Sequence, residues 1–371
     1  MIRGAPDDLV ASARLQELAL PGGRGFAGWH EGALVRDVLG RQPLFVERPL
    51  LEEGGVEWPR NGPGWGHDPT AIRNAVPFPA GSISARPGHL ESRWSLPTPA
   101  PATDRGSILD ELDRTLLATC EGTVPDDAAV AFSGGVDSAL LAALLDRPAY
   151  VVGFPESPDL QRAQRVADDL DVALTVRELD HDALRDHVRR VANRSPHTSA
   201  MDLAIGATFS AVGTAVSADG HETLVLGQGA DELFGGYEKV AQLDGRVDAD
   251  TPRDAVRELL GSLPTQFERD VPVLRAAGVE PLSPYLDDAV VDVALRLPEP
   301  LLVDGTRRKV ALRTVAARHL PGELAETEKA AAQYGSRVAR ELDRLARQAG
   351  YKRREDDHVE RYVREELLGG P

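Results

Sequence analysis

Apolar and polar positions change rhythm near residue 107. Beyond it, short apolar runs alternate with stretches of helical period. AAVAF (128–132) reads as a buried strand and VDSALLAALLD (136–146) as a helix. AYVVGF (149–154) and ALTVREL (173–179) read as strands, each followed by a helix, over 157–170 and to about 193. TLVLG (223–227) reads as one more strand, and beyond about 252 the pattern is largely helical. Short strands alternating with helices predict an α/β fold with a doubly wound parallel sheet. Ahead of it, GSILDELDRTLLATC (106–120) puts Leu109, Leu112, Leu116 and Cys120 on one helical face. Ser107 and Asp110 have the spacing of a capping box.

The first hundred residues read differently. They are rich in Gly, Pro and Trp, with β-like runs at 33–35, 43–46 and 82–85 and a turn cluster at 61–66. SLPTPAPATD (95–104) reads as a linker. The expected organisation is a small β-rich domain over 1–95, a linker over 96–106, an α/β domain with a helical C-terminal part over 107–345, and a charged tail over 346–371.

Charge narrows the partners. Asp plus Glu number 59 against 42 Lys plus Arg, a net charge of −17, which disfavours broad binding to nucleic acid. Lysine stands only at 239, 309, 329 and 352. An acid-rich, lysine-poor surface suits molar salt, as in a haloarchaeal cytoplasm, although GC-rich codon usage accounts for part of it. Cys120 is the single cysteine, so no intramolecular disulfide and no multi-cysteine zinc site is possible within this sequence. Its place on an apolar helix face predicts a core thiol. No apolar run approaches the ~18 residues of a membrane span, and 1–10 carry no secretory apolar region. The expected location is cytoplasmic, with no membrane partner.

The densest chemistry is AFSGGVDS (131–138), between a strand and a helix. Gly134 and Gly135 let backbone N–H groups approach an anion, and the helix N-terminus adds partial positive charge. Ser133 and Ser138 offer hydroxyls, while Asp137 beside a phosphate implies Mg²⁺ between them. In LGQGADELFGGY (226–237), Asp231 and Glu232 offer carboxylates just past a strand. Asp137 and Asp231 are the candidate metal ligands. Lys309, one of four lysines, carries a compact ammonium suited to phosphate charge.

SGGVDS resembles the pyrophosphate loop of the PP-loop ATP pyrophosphatases, the adenine nucleotide α-hydrolase-like fold. The other motifs narrow the resemblance to asparagine synthetases. VVGFPESPDLQRAQRVADDL (151–170) is similar to that family's second nucleotide segment and LGQGADELFGGY to its acidic loop. SPYLDD (283–288) is similar to its Pro-Phe-Leu-Asp segment, RRKVALRTVAARHLP (307–321) to its lysine-bearing helix, and EKAAAQYGS (328–336) to its closing segment. The resemblance implies an ATP site formed by Ala131, Ser133, Gly134, Gly135, Asp137, Ser138, Val152, Gly153, Leu226 and Gly227, with Lys309, Glu232 and Gln228 in catalytic positions. It implies that a carboxylate, aspartate in the family, is activated as an acyl-adenylate with release of pyrophosphate. Ammonia then forms the amide.

Three departures qualify that implication. Gln228 stands where the family has a glutamate, and glutamine takes no proton at neutral pH. Base work then passes to another group such as Glu232, and other acids or a β-lactam synthetase-like cyclisation stay open. Leu282 stands where the family has an arginine. LVRDVLGRQPLFV (34–46) and, loosely, PFPAGSISA (77–85) resemble class II glutaminases, whose nucleophilic cysteine follows the initiator Met. Here Ile2 follows Met1. The expectation is a degenerate glutaminase-like region, with nitrogen from free ammonia or a separate glutaminase partner. A non-catalytic ATP-binding scaffold is a further alternative. Retention of Asp137, Asp231 and Lys309 together argues against it.

Overall fold

The computed structural model describes residues 1–53, 57–59, 64–242, 249–326, 335–353 and 357–370. Parts of two expected features, 61–63 of the turn cluster and 328–334 of the closing segment, lie outside these residues. The chain forms two compact units. The first comprises Met1–Thr123, Gly227–Glu268 and Ser283–Arg318; the second comprises Val124–Leu226, Arg269–Leu282 and His319–Pro371.

In the first unit, β1 (Ala27–His30), β2 (Ala33–Arg36), β6 (Ser82–Arg86) and β7 (His89–Ser92) form an antiparallel sheet in the order β1-β2-β6-β7. A second antiparallel sheet has the order β4-β3-β5, from β3 (Phe45–Glu47), β4 (Trp65–Gly66) and β5 (Ala75–Pro77). The three β-like runs thus appear as strands, each shifted by at most a residue or two at its ends. Trp58, Phe78, Leu44 and Val46 form the core of one cluster, and Phe26, Val35 and Trp94 of another.

The long helix of this unit runs Arg105–Thr123. It starts two residues before the expected cap, because the Asp104 carboxylate accepts the N–H groups of Gly106 (2.9 Å) and Ser107 (3.1 Å). Its buried face carries Ile108, with Leu112, Leu116 and Cys120, while Leu109 is only half buried. Ile108, four residues before Leu112, thus takes the place expected of Leu109. Cys120 is a core thiol, and burial pushes its pKa up to about 12.

The second unit holds a five-stranded sheet: β8 (Ala129–Ala131), β9 (Ala149–Gly153), β10 (Leu174–Glu178), β11 (Thr223–Val225) and β12 (Glu280–Leu282), in the order β10-β9-β8-β11-β12. Every pair is parallel. The order reverses between β8 and β11, the place where doubly wound sheets open a crevice beyond their strand ends. This is the expected α/β fold. β12 is absent from the sequence reading, because Glu-Pro-Leu is too short to carry a period-two signal.

The helix Ala200–Ala218 is also absent from that reading. Among the described residues it is the one helix long and apolar enough to cross a membrane, with a mean hydropathy of 1.3. This corrects the expectation that no stretch approaches that length. Half of that window is buried inside the protein. The helix packs on the helix His181–Arg194 and on β9, so its apolarity is that of a core element.

Candidate active site

In the second unit a glycine turn follows β8. After Ala131 the chain turns through Ser133 and Gly134 into the helix Val136–Leu145. Gly134 has φ +68°, a left-handed conformation that favours glycine. A Cβ there would meet the Arg162 and Ala163 backbone at 3.0 Å. Gly135 is the N-cap and brings no side chain to the first turn of the helix. The two serines hold the turn. Ser138 Oγ accepts from the Ser133 N–H (3.1 Å) and donates to the Gly135 carbonyl (3.2 Å). Asp137 is buried in the first helical turn.

The neighbouring strand opens the 151–170 segment. Val152 and Gly153 end β9, and both are buried. A Cβ on Gly153 would meet Ser157 Oγ at 2.7 Å. Ser157 Oγ is itself buried with no hydrogen-bond partner among the described residues, a polar atom of the kind a ligand satisfies. Leu226, just past β11, donates its N–H to the Leu282 carbonyl (2.8 Å).

The first unit gathers the acidic loop and the lysine. Gly227 opens the loop, and its carbonyl accepts the Ala230 N–H (3.4 Å). Gly229, at φ +93°, turns the chain into the short helix Ala230–Phe234. Lys309 Nζ lies 2.8 Å from Asp231 Oδ1. The Lys309 side chain is 7% exposed and that of Asp231 38%. Lys309 is not in the body of a helix, as the sequence pattern implied. It is the N-cap of Val310–Ala316, in a left-handed conformation at φ +55° that a non-glycine residue rarely adopts. A Cβ on Gly236 would overlap both Asp231 Oδ1 and Lys309 Cε. The second glycine of FGG is therefore required by the ion pair itself.

Beside this pair runs a hydrogen-bonded chain. Glu232 Oε1 accepts from Tyr237 Oη (2.7 Å) and Gln266 Nε2 (2.9 Å), and Gln228 Nε2 donates to Gln266 Oε1 (3.3 Å). Glu232 is 3% exposed. Burial pushes its pKa above the usual carboxylate range; the Gln266 and Tyr237 hydrogen bonds oppose that and neighbouring Asp231 adds to it. Gln228 and Glu232, expected as site residues, are thus joined through Gln266. Gln266 lies on Leu263–Ala276, in a stretch with no motif, and nothing in the sequence marks it.

Mg²⁺ uses one or two carboxylates and leaves its other positions to phosphate oxygens and water. Among the described residues no group of three or more His, Cys, Asp or Glu gathers as a metal cage. Asp137 in one unit and Asp231 in the other are each single carboxylates of the kind that fits such binding.

The asparagine synthase family profile matches residues 108–261 and 246–369. A candidate asparagine synthetase 1 (glutamine-hydrolyzing) of Methanocaldococcus jannaschii is 29% identical over 267 residues, 62% of this chain and 49% of that protein. Asparagine synthetase B (glutamine-hydrolyzing) of Escherichia coli is 26% identical over 290 residues, 69% of this chain and 51% of that protein. The chain spans about half the length of the curated relatives it matches. Among solved structures, an NH3-dependent NAD synthetase from Campylobacter jejuni covers 36% of this chain and 61% of its own at 20% identity and a TM-score of 0.27. At that level the fold assignment rests on the strand order alone.

Proposed function

This chain belongs to the asparagine synthase family, and we propose that within it the protein is an ATP-dependent amide-forming ligase that uses ammonia. Its acid substrate, aspartate as the reading stands, attacks the α-phosphorus of ATP through a carboxylate oxygen. The bond to the β-phosphate bridge breaks and pyrophosphate leaves. Ammonia then attacks the acyl carbon, the acyl–phosphate C–O bond breaks, and AMP leaves with that oxygen.

The observation that carries the proposal is the Lys309–Asp231 pair, which joins two motifs distant in sequence at 2.8 Å. The ammonium is buried and held by its partner, so it is pre-set for charge that grows on a leaving pyrophosphate. Ser133, Gly134, Gly135 and the first turn of Val136–Leu145 supply donors for phosphate. Ala131, Val152, Gly153, Leu226 and Gly227 would line the rest of the nucleotide site. Mg²⁺, when bound at Asp137 or Asp231, would neutralise phosphate charge.

Glu232 takes the proton that ammonia loses on attack. Its raised pKa makes it a better base than an ordinary carboxylate. Gln228 orients it through Gln266. The one cysteine, Cys120, is a buried thiol and supplies no thiolate, which favours ammonia, free or from a partner glutaminase, as nitrogen source. Gln228 in place of the family glutamate favours a second reading, in which the acid is other than aspartate. Screening acids with ATP, Mg²⁺ and ammonium in high salt tests both. Pyrophosphate release that depends on one acid supports the ligase, and release with none refutes it. The cytoplasm is the proposed location.

A further inference from the structure

The segment around 34–42 reaches the supports of the acidic loop through buried ion pairs, all within the first unit. Arg36 ends β2 and is fully buried. Its Nη1 donates to Glu268 Oε1 at 2.7 Å and to the Phe78 carbonyl at 2.6 Å, and its Nη2 donates to the Gly40 carbonyl at 2.9 Å. Glu268 stands two residues beyond Gln266 on the same helix, and Gln266 holds Glu232.

Arg41 makes the second grip. Its Nε donates to Asp37 Oδ1 at 2.9 Å. Its Nη1 donates to the Leu286 carbonyl and to Asp288 Oδ1, both at 2.7 Å. The Leu286 side chain fills the space beside Gly229, where a Cβ would overlap it. Asp288 is held again from the N-terminal side, accepting the Gly22 N–H at Oδ2 (3.0 Å) and donating its own N–H to the Gly23 carbonyl (2.9 Å).

Stability alone is a poor reason for such a network. Removing these charges from water costs free energy, and well-packed apolar side chains are often as good or better. Among the described residues, Arg36 Nε, Asp37 Oδ2 and Arg41 Nη2 are buried with no hydrogen-bond partner. What a guanidinium supplies is direction, because its planar fork fixes several acceptors at once. We propose that Arg36 and Arg41 are positioning residues. They clamp the helix bearing Gln266 and the turn bearing Leu286, and so set Glu232 and the Gly229 turn. This rests on the reading of the acidic loop as the amide-forming site. It gives the glutaminase-like segment a task that needs no glutamine.

The test replaces one pair by apolar groups, Arg36→Met with Glu268→Leu, in the full chain. A purely structural role predicts a lower melting temperature with turnover near wild type. The Phe78 and Gly40 carbonyls lose their Arg36 donor, so we expect the melting temperature to fall by a few degrees, with the KM for ATP unchanged. The kcat for acid-dependent pyrophosphate release should fall about 10²-fold, the scale of a small misplacement. Amide exchange over 227–237 should quicken. Wild-type kcat and exchange in the folded double variant overturn the clamp. Should that variant not fold, Arg36→Lys, which keeps the charge and loses the fork, is expected to show the same kcat and exchange changes; wild-type behaviour there overturns the proposal equally. The exchange arm needs no substrate. If the wild-type protein releases no pyrophosphate with any acid, the reaction reading falls and exchange alone still decides the clamp.

Discussion

Lys309 Nζ sits 2.8 Å from Asp231 Oδ1, and Gly236 closes against both, leaving no room for a side chain. The pair fixes the cation in place before any substrate arrives. A buried lysine held this way differs from the exposed helix lysine that a count of surface charges would suggest.

Lys309→Met is expected to lower acid-dependent pyrophosphate release by roughly 10²–10³-fold, about 3–4 kcal/mol of transition-state stabilisation. Asp231 stays partly solvated at 38% exposure, so the melting temperature should move by only a few degrees. Lys309→Arg should also be strongly impaired, because a planar fork does not place charge as a compact ammonium does. Lys352→Arg, at an exposed position, should be silent. Near-normal release by Lys309→Arg would remove Lys309 from the site.

Gly236→Ala tests the same geometry without touching a charge. The added methyl overlaps Asp231 and Lys309, so one of them must move. We expect a loss of about 10²-fold in turnover, with about 1–3 kcal/mol of lost stability seen in calorimetry. A fully active variant would show that the pair is free to relocate.

Much of this was legible in the sequence. The strand–helix alternation located β8 to β11, and SGGVDS sat where the sheet order reverses. Asp231, Glu232 and Lys309 were found as residues, but their relations were not. Which carboxylate faces the lysine depends on the left-handed turn at Lys309 and on Gly236, neither of which has a local signal. Gln266 lies on a helix of ordinary composition, so its link between Gln228 and Glu232 is a tertiary fact. Ala200–Ala218 escaped the reading because Asp202, Thr208, Ser210 and Thr214 interrupt its apolar run without breaking the helix.

Glu232 should leave a signature in stability. Its folded pKa lies above the ordinary 4.5. Below 4.5 the group is neutral in both states and costs nothing. As pH rises through the folded value, the unfolded chain gains from ionisation and the native state loses ground. Glu232→Gln keeps an acceptor for Tyr237 and Gln266 and removes the charge. The melting temperature of the variant minus that of wild type should therefore grow from pH 4.5 upward. A difference independent of pH contradicts the burial argument.

His187 works in the opposite window. Burial first, then Arg190, lowers its pKa from 6.5 to about 4, while Asp186 opposes them. Its Nδ1 lies 2.9 Å from Ser210 Oγ. The unfolded chain takes up a proton below 6.5 and the native state does not, so stability is lost as pH falls from 6.5 toward 4. His187→Gln should flatten that part of the melting profile. An unchanged slope would place the histidine proton uptake elsewhere.

The most direct measurement follows oxygen from the acid. With the carboxylate of the accepted acid labelled with oxygen-18, and ATP and ammonium supplied, an acyl-adenylate must leave one labelled oxygen on AMP when ammonia displaces it. The account predicts label in AMP in proportion to amide formed, with none in pyrophosphate. Label in inorganic phosphate beside unlabelled ADP, or amide formed with no label transferred, would contradict it.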